Sequence, residues 1–167
     1  MGVLVMNEKL LKALQEQLNA EAYSAYLYFS MASWFESENL TGMAHWMKVQ
    51  AKEELDHAKR FYDFINARRQ KVNLLPIDGP KTEWSSPLEA FEDAFKHEQV
   101  VSKRIHDLLA LAIEVKDYPT QEFLQWFVKE QVEEEATADS IVKKLQLIGD
   151  SKNALFMLDH ALGERGE

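Results

Sequence analysis

Residues 43–64 read MAHWMKVQAKEELDHAKRFYDF. Met43, Met47, Gln50, Glu54, His57, Phe61 and Phe64 recur at alternating steps of four and three, which lines one face of an α-helix. The face is apolar at both ends, so it reads as core. In its middle stand a carboxylate and an imidazole, Glu54 and His57, about one turn apart on the same side. An ionised carboxylate in a dry core costs several kcal/mol unless it is paired or holds a metal. The stretch therefore predicts a core helix with a polar task, starting near Thr41 as its cap.

Three more segments repeat the pattern. Leu14, Leu18, Glu21, Ala25, Tyr28, Ala32 and Phe35 form the inward line of a first helix, with Asn7 placed to cap it. Leu88, Phe91, Phe95, Glu98, Ser102, Ile105, Leu109 and Ala112 form that of a third. Ser86-Pro87-Leu88-Glu89 opens this helix as a capping box, with proline at the first helical position. Asp117-Tyr118-Pro119 forces a break. A fourth helix then carries Phe123, Phe127, Glu130, Glu134, Ala138, Ile141, Leu145 and Ile148, and Gly149 stops it. Leu155, Leu158 and Leu162 mark a short fifth helix over about 153–162.

Between the second and third helices the period vanishes. Residues 70–85, QKVNLLPIDGPKTEWS, hold two prolines and a glycine. A link this long inside a compact fold wants a reason, and a crossover between two antiparallel hairpins supplies one. The expected fold is all-α: one domain over 1–167, with a four-helix bundle spanning about 7–148, a long crossover, and a C-terminal fifth helix.

Composition narrows the function. The chain has no cysteine, which excludes disulfides, Cys-based metal sites and thiol nucleophiles. Its formal net charge of −9 argues against nucleic-acid partners and suits attraction of cations. Val3-Leu4-Val5-Met6 is too short for a signal or membrane segment. Met1-Gly2 lacks the Ser or Thr at position 6 of a myristoylation motif. The expectation is a cytoplasmic protein with no membrane partner.

Each of the four inward lines carries a glutamate: Glu21, Glu54, Glu98 and Glu134, joined by His57. No Lys or Arg stands on those lines nearby, so internal ion pairs offer no easy neutralisation. Multivalent cations do. Two-metal carboxylate bundles take one Glu from each of two helices and a Glu-x-x-His from each of the other two. The second helix meets that rule, and the first and third supply single glutamates. The fourth offers Gln131-Val132-Glu133-Glu134 instead, which predicts an asymmetric pocket with a weaker second position.

The whole chain resembles the prokaryotic non-haem ferritins. The resemblance is carried by residues 19–28, NAEAYSAYLY, by Glu53-Glu54-Leu55-Asp56-His57-Ala58, by Lys96-His97-Glu98, and by residues 123–135, FLQWFVKEQVEEE. It implies that Glu21, Glu54 and His57 hold a first iron, with Glu54 bridging to a second held by Glu98 and Glu134 beside Gln131. It also implies that Glu53, Glu130 and Glu133 form a third iron position. Tyr28 joins the five ligands in the implied catalytic set, and Trp126 matches a second aromatic next to the centre. Leu55 stands where bacterioferritins use a haem-ligating methionine, so no haem is expected. Gln121 and Leu124 correspond to positions where animal ferritins line their three-fold pores with acids.

The resemblance further implies ferroxidation of Fe(II) by dioxygen or hydrogen peroxide. Ferric mineral would be stored inside a homo-oligomeric shell of 24 subunits, with the fifth helices packing together. A di-iron peroxide-scavenging oxidoreductase that stores no mineral is the alternative, and a purely structural bundle is a third.

Overall fold

A computed structural model describes residues 5–166, and among them the chain forms five α-helices and no strand. Met1-Gly2 and the first half of the Val3–Met6 run lie outside the described residues. The helices are α1 (Glu8–Ser37), α2 (Thr41–Ala67), α3 (Pro87–Glu114), α4 (Tyr118–Ile148) and α5 (Lys152–Gly163). The first four are the expected bundle and α5 the short appended helix. Among the described residues no helix is long and apolar enough to cross a membrane.

Two apolar clusters set the helix directions. One unites the start of α1 (Leu10, Leu14), the ends of α2 (Phe61, Ile65) and α3 (Ile105, Ala112), and the start of α4 (Leu124, Phe127). The other unites the opposite ends: Phe35, Met43, Phe91 and Leu145. So α1 and α2 run antiparallel, as do α3 and α4, while α3 starts at the end where α2 started. Residues 68–86 must return the whole length of α2, roughly 40 Å at ~1.5 Å per residue, well within the reach of an extended chain. The crossover lies along α1, where Asn19 Nδ2 donates to the carbonyls of Leu75 (3.1 Å) and Pro76 (3.0 Å). Farther on, Ser30 Oγ donates to Lys81 O at 2.6 Å.

Helix ends follow side-chain chemistry, with two differences from expectation. Asn7, Ser86, Asp117 and Ser151 each accept a first-turn backbone N–H and cap α1, α3, α4 and α5. Glu89, however, accepts from Ser85 N at 2.6 Å instead of closing the box on Ser86. Thr41 is not the cap of α2; it is the first helical residue, and Leu40 before it has no side chain to offer. The missing acceptor comes from α5, whose Asp159 Oδ1 takes the N–H of Met43 at 2.8 Å. Gly42 makes this docking possible, because a β-carbon there would stand 1.8 Å from the Asp159 carbonyl oxygen. Helices α1, α2 and α3 end on residues in the left-handed region, Asn39, Arg69 and Lys116. The next residue's N–H in each case returns to a carbonyl five residues earlier, the Schellman closure, here made without glycine.

Helix α5 packs on α2 and α4 of its own bundle. Leu155, Leu158 and Leu162 rest against the cluster at that end, and Phe156 and Met157 face outward.

Candidate metal centre

Between the two apolar clusters lies a belt of buried polar side chains: Gln17, Glu21, Gln50, Glu54, His57, Glu98, Ser102, Gln131 and Glu134. Helical periodicity puts them there, since each occupies a position that would otherwise hold core. Glu21, Glu54 and Glu98 are 1% exposed and Glu134 8%. These four carboxylates, from four helices, converge with His57.

Two sets of ligand atoms gather within 4.8 Å of one another: Glu21, Glu54 and His57, and Glu54, Glu98 and Glu134. Glu54 is common to both, one oxygen toward each neighbourhood being what a carboxylate bridge requires. His57 Nδ1 lies 3.4 Å from Glu54 Oε2 and 4.0 Å from Glu21 Oε2. Among the described residues no hydrogen-bond donor reaches Glu21 Oε2, although it is fully enclosed. A buried acceptor without a donor is costly, and a cation would satisfy it. The donor set is hard oxygen plus one imidazole, which suits iron among other divalent metals.

The third grouping differs from expectation. His57, Glu130 and Glu134 gather within 4.8 Å. Glu53, which the resemblance sets beside Glu130, is instead paired with Arg165, its Oε2 lying 2.7 Å from the guanidinium. Glu133 is exposed on the outside of α4 and belongs to no such grouping among the described residues.

The surrounding shell orients the carboxylates. Gln17 Nε2 donates to Glu21 Oε1 at 3.0 Å. Gln50 Nε2 spans two helices, donating to Glu54 Oε1 at 3.1 Å and Glu134 Oε2 at 2.8 Å. Gln131 turns its amide N–H groups to Glu98 Oε2 (3.1 Å) and Ser102 Oγ (3.1 Å), and Ser102 in turn donates to Glu135. In this arrangement the Gln131 amide nitrogen orients Glu98. Tyr28 donates its hydroxyl to Glu98 Oε1. Trp126 meets His57 edge-on at 5.3 Å, with the Arg60 guanidinium 3.8 Å over its ring. The sequence reading gives Gln17 and Gln50 no role. Their signal is spacing: each stands four residues before a buried glutamate, close enough to bond to it along the helix. Leu124 is wholly buried inside the bundle, on the inward face of α4.

Crowding sets the electrostatics. Burial, then the charge of Glu54, pushes the Glu21 carboxyl well above its ordinary range. Burial, then Glu98 and Glu134, does the same to Glu54. Glu98 is raised by burial against the opposing hydrogen bonds of Tyr28 and Gln131. Burial and the Glu98 charge lift Glu134 from 4.5 to about 8. Burial and Glu98 also raise the Tyr28 phenol.

These shifts fix a sign. Above pH 4.5 the unfolded chain's glutamates are largely ionised, while folded Glu134 keeps its proton to about 8. The folded state then binds more protons, so stability falls as pH rises through that window, by about 1.4 kcal/mol per unit for each retained proton. Metal-free protein should therefore melt at a lower temperature at pH 8.5 than at pH 7. His97, depressed to about 4 by burial and Arg104, is neutral throughout this interval. An equal or higher melting temperature at pH 8.5 would refute the electrostatic account. Bound metal replaces the protons and should flatten the dependence.

Known proteins resemble this chain in sequence and in fold. The ferritin-like domain family matches residues 11–148. A bacterial non-heme ferritin of Bacteroides fragilis (strain YCH46) is 46% identical over 161 residues, covering 96% of this chain and 100% of its own. Another, from Staphylococcus saprophyticus, is 44% identical over 161 residues, covering 96% of each chain. Among solved structures, an open-pore ferritin from the hyperthermophilic archaeon Archaeoglobus fulgidus superposes with a TM-score of 0.95 at 52% identity, covering 96% of this chain and 99% of its own. Matched over nearly its full length in sequence and in fold, the chain belongs to the prokaryotic non-haem ferritins.

Proposed function

We propose that this protein stores iron by oxidising Fe(II) at the centre bounded by Glu21, Glu54, His57, Glu98 and Glu134, and passes the ferric product to a mineral within a homo-oligomeric shell. The convergence of four buried carboxylates on one imidazole carries this reading, since at neutral pH such a cluster either retains protons far above the ordinary carboxylate range or binds cations in their place. Membership of the non-haem ferritins supports iron storage in general.

Iron is the substrate here. Each Fe(II) gives one electron, so a pair reduces dioxygen to hydrogen peroxide, or hydrogen peroxide to water, taking up two protons. Glu54 bridges the pair and Glu21, His57, Glu98 and Glu134 complete it. Carboxylate oxygens hold Fe(II) loosely and stabilise the higher charge of Fe(III). Glu98 and Glu134 provide no imidazole for their ion, which eases release of the product from that side. His57, Glu130 and Glu134 lie together, and Glu53 is near enough for its charge to act on Glu134; these form a third position through which the product leaves. Tyr28, bonded to Glu98, is placed to steady that carboxylate during the electron transfer.

The shell is proposed by likeness: a pore, for which the Archaeoglobus fulgidus relative is named, belongs to an enclosing assembly. A shell of 24 subunits is the expected form, with α5 at contacts between copies through Phe156 and Met157.

Aerobic Fe(II) addition followed by size separation and iron analysis tests the proposal. Storage predicts hundreds of irons per assembly co-migrating with a large particle, on the order of tens per subunit at modest loading (24-fold multiplicity, one site per chain). Saturation at two or three irons per subunit would favour the peroxide-scavenging alternative and end the storage reading.

A further inference from the structure

Arg165, two residues beyond the end of α5, folds back on α2 through four contacts. Its carbonyl oxygen pairs with His45 Nε2 at 2.8 Å, and its Nη1 donates to the Trp46 carbonyl at 3.3 Å. Its guanidinium lies 4.5 Å over the Trp46 ring, and its Nη2 donates to Glu53 Oε2 at 2.7 Å. Both members of the ion pair are partly buried, Arg165 more so than Glu53. Glu53 directly precedes Glu54 in the chain, and its charge is felt by Glu134. A permanently protonated side chain thus occupies the carboxylate that stands beside the third position.

We propose that Arg165 is a tethered counter-cation for Glu53, which an iron taking up Glu53 must displace. Filling the third position and releasing residues 163–166 from α2 are then one linked event. This inference rests on the reading of Glu53 as part of that position. Two consequences follow from linkage. Docking of the segment weakens the third position by some factor, and occupancy of the position loosens the segment by the same factor. The Glu54-bridged pair is untouched, because Arg165 reaches none of its five ligands. The device holds Glu53 neutralised while the position is empty, which spares the metal-free belt one more unpaired negative charge, and yields only to an ion of higher charge.

Anaerobic Fe(II) titration of the assembled protein by calorimetry, with amide hydrogen exchange over residues 161–166, tests this. Three variants are compared with the parent: Arg165→Gln, Arg165→Lys and Glu53→Gln. Arg165→Gln should bind the third Fe(II) about five-fold more tightly, the scale of one partly exposed ion pair, with the first two unchanged. Arg165→Lys should stay near the parent. In the parent, exchange at 163–166 should accelerate only as the third equivalent binds, and in Arg165→Gln it should be fast from the start. Equal or weaker third-site affinity in Arg165→Gln, with Glu53→Gln abolishing that site, would overturn the counter-cation role while leaving the site intact. A third equivalent that binds Glu53→Gln as it binds the parent would overturn both the role and the reading of Glu53 on which it rests.

Discussion

The Glu54→Ala/His57→Ala protein is expected to oxidise Fe(II) no faster than an equal concentration of a protein without a metal site. Glu54 is the one carboxylate common to both ligand groupings, and His57 is the sole imidazole in the belt. Removing both leaves Glu21 alone on one side and Glu98 with Glu134 on the other. Loss of a single group in the shell around a metal typically costs about 10–100-fold in affinity or activity. Loss of a bridge and a ligand together should exceed ~100-fold. The measurement is the initial rate of ferric absorbance after aerobic addition of two Fe(II) per subunit, with the helical circular dichroism signal checked beside it. A rate within a few-fold of the parent, in a protein that remains helical, would remove ferroxidation at this centre from consideration.

Glu54→Gln should do the opposite to stability that it does to function. Glu54 is enclosed by Glu21, Glu98 and Glu134, and burial with the charge of Glu98 and Glu134 drives its pKa well up. A neutral amide of nearly the same shape removes that repulsion, and its oxygen can still accept the bond from Gln50. At pH 8.5 the metal-free variant should gain about 2 kcal/mol or more, and ~5 °C in melting temperature. At pH 5, where the parent's carboxyls are protonated, the gain should vanish. A variant that melts at or below the parent at pH 8.5 would mean that the belt is relaxed without metal.

What the sequence makes legible depends on the range of the interaction. The four stripes and the glutamates interrupting them are local: a residue every three or four positions settles which side is buried, and burial makes Glu21, Glu54, Glu98 and Glu134 conspicuous. The crossover was equally plain, because residues 70–85 have no period and two prolines. What escaped was set by distant partners. Thr41 reads as a cap because it precedes an apolar run, yet the acceptor used is Asp159. The resemblance implies a metal-side role for Glu53, but nothing local announces its pairing with Arg165, 112 positions away. Gln17 and Gln50 passed without a role because a glutamine on an inward line carries no charge to account for.

The cap that Asp159 lends to α2 bears on the order in which the molecule is made. A chain synthesised from its amino end completes α1 and α2 long before residue 159 exists, so the helix bearing Glu54 and His57 is first built with its leading N–H groups open to solvent. Its first turn is capped only when the last helix docks. Contacts of such long sequence separation form late, and they seal the ligand-bearing helix after everything else is in place. A nascent chain that has not yet reached α5 thus lacks both that cap and Arg165, the counter-charge at Glu53.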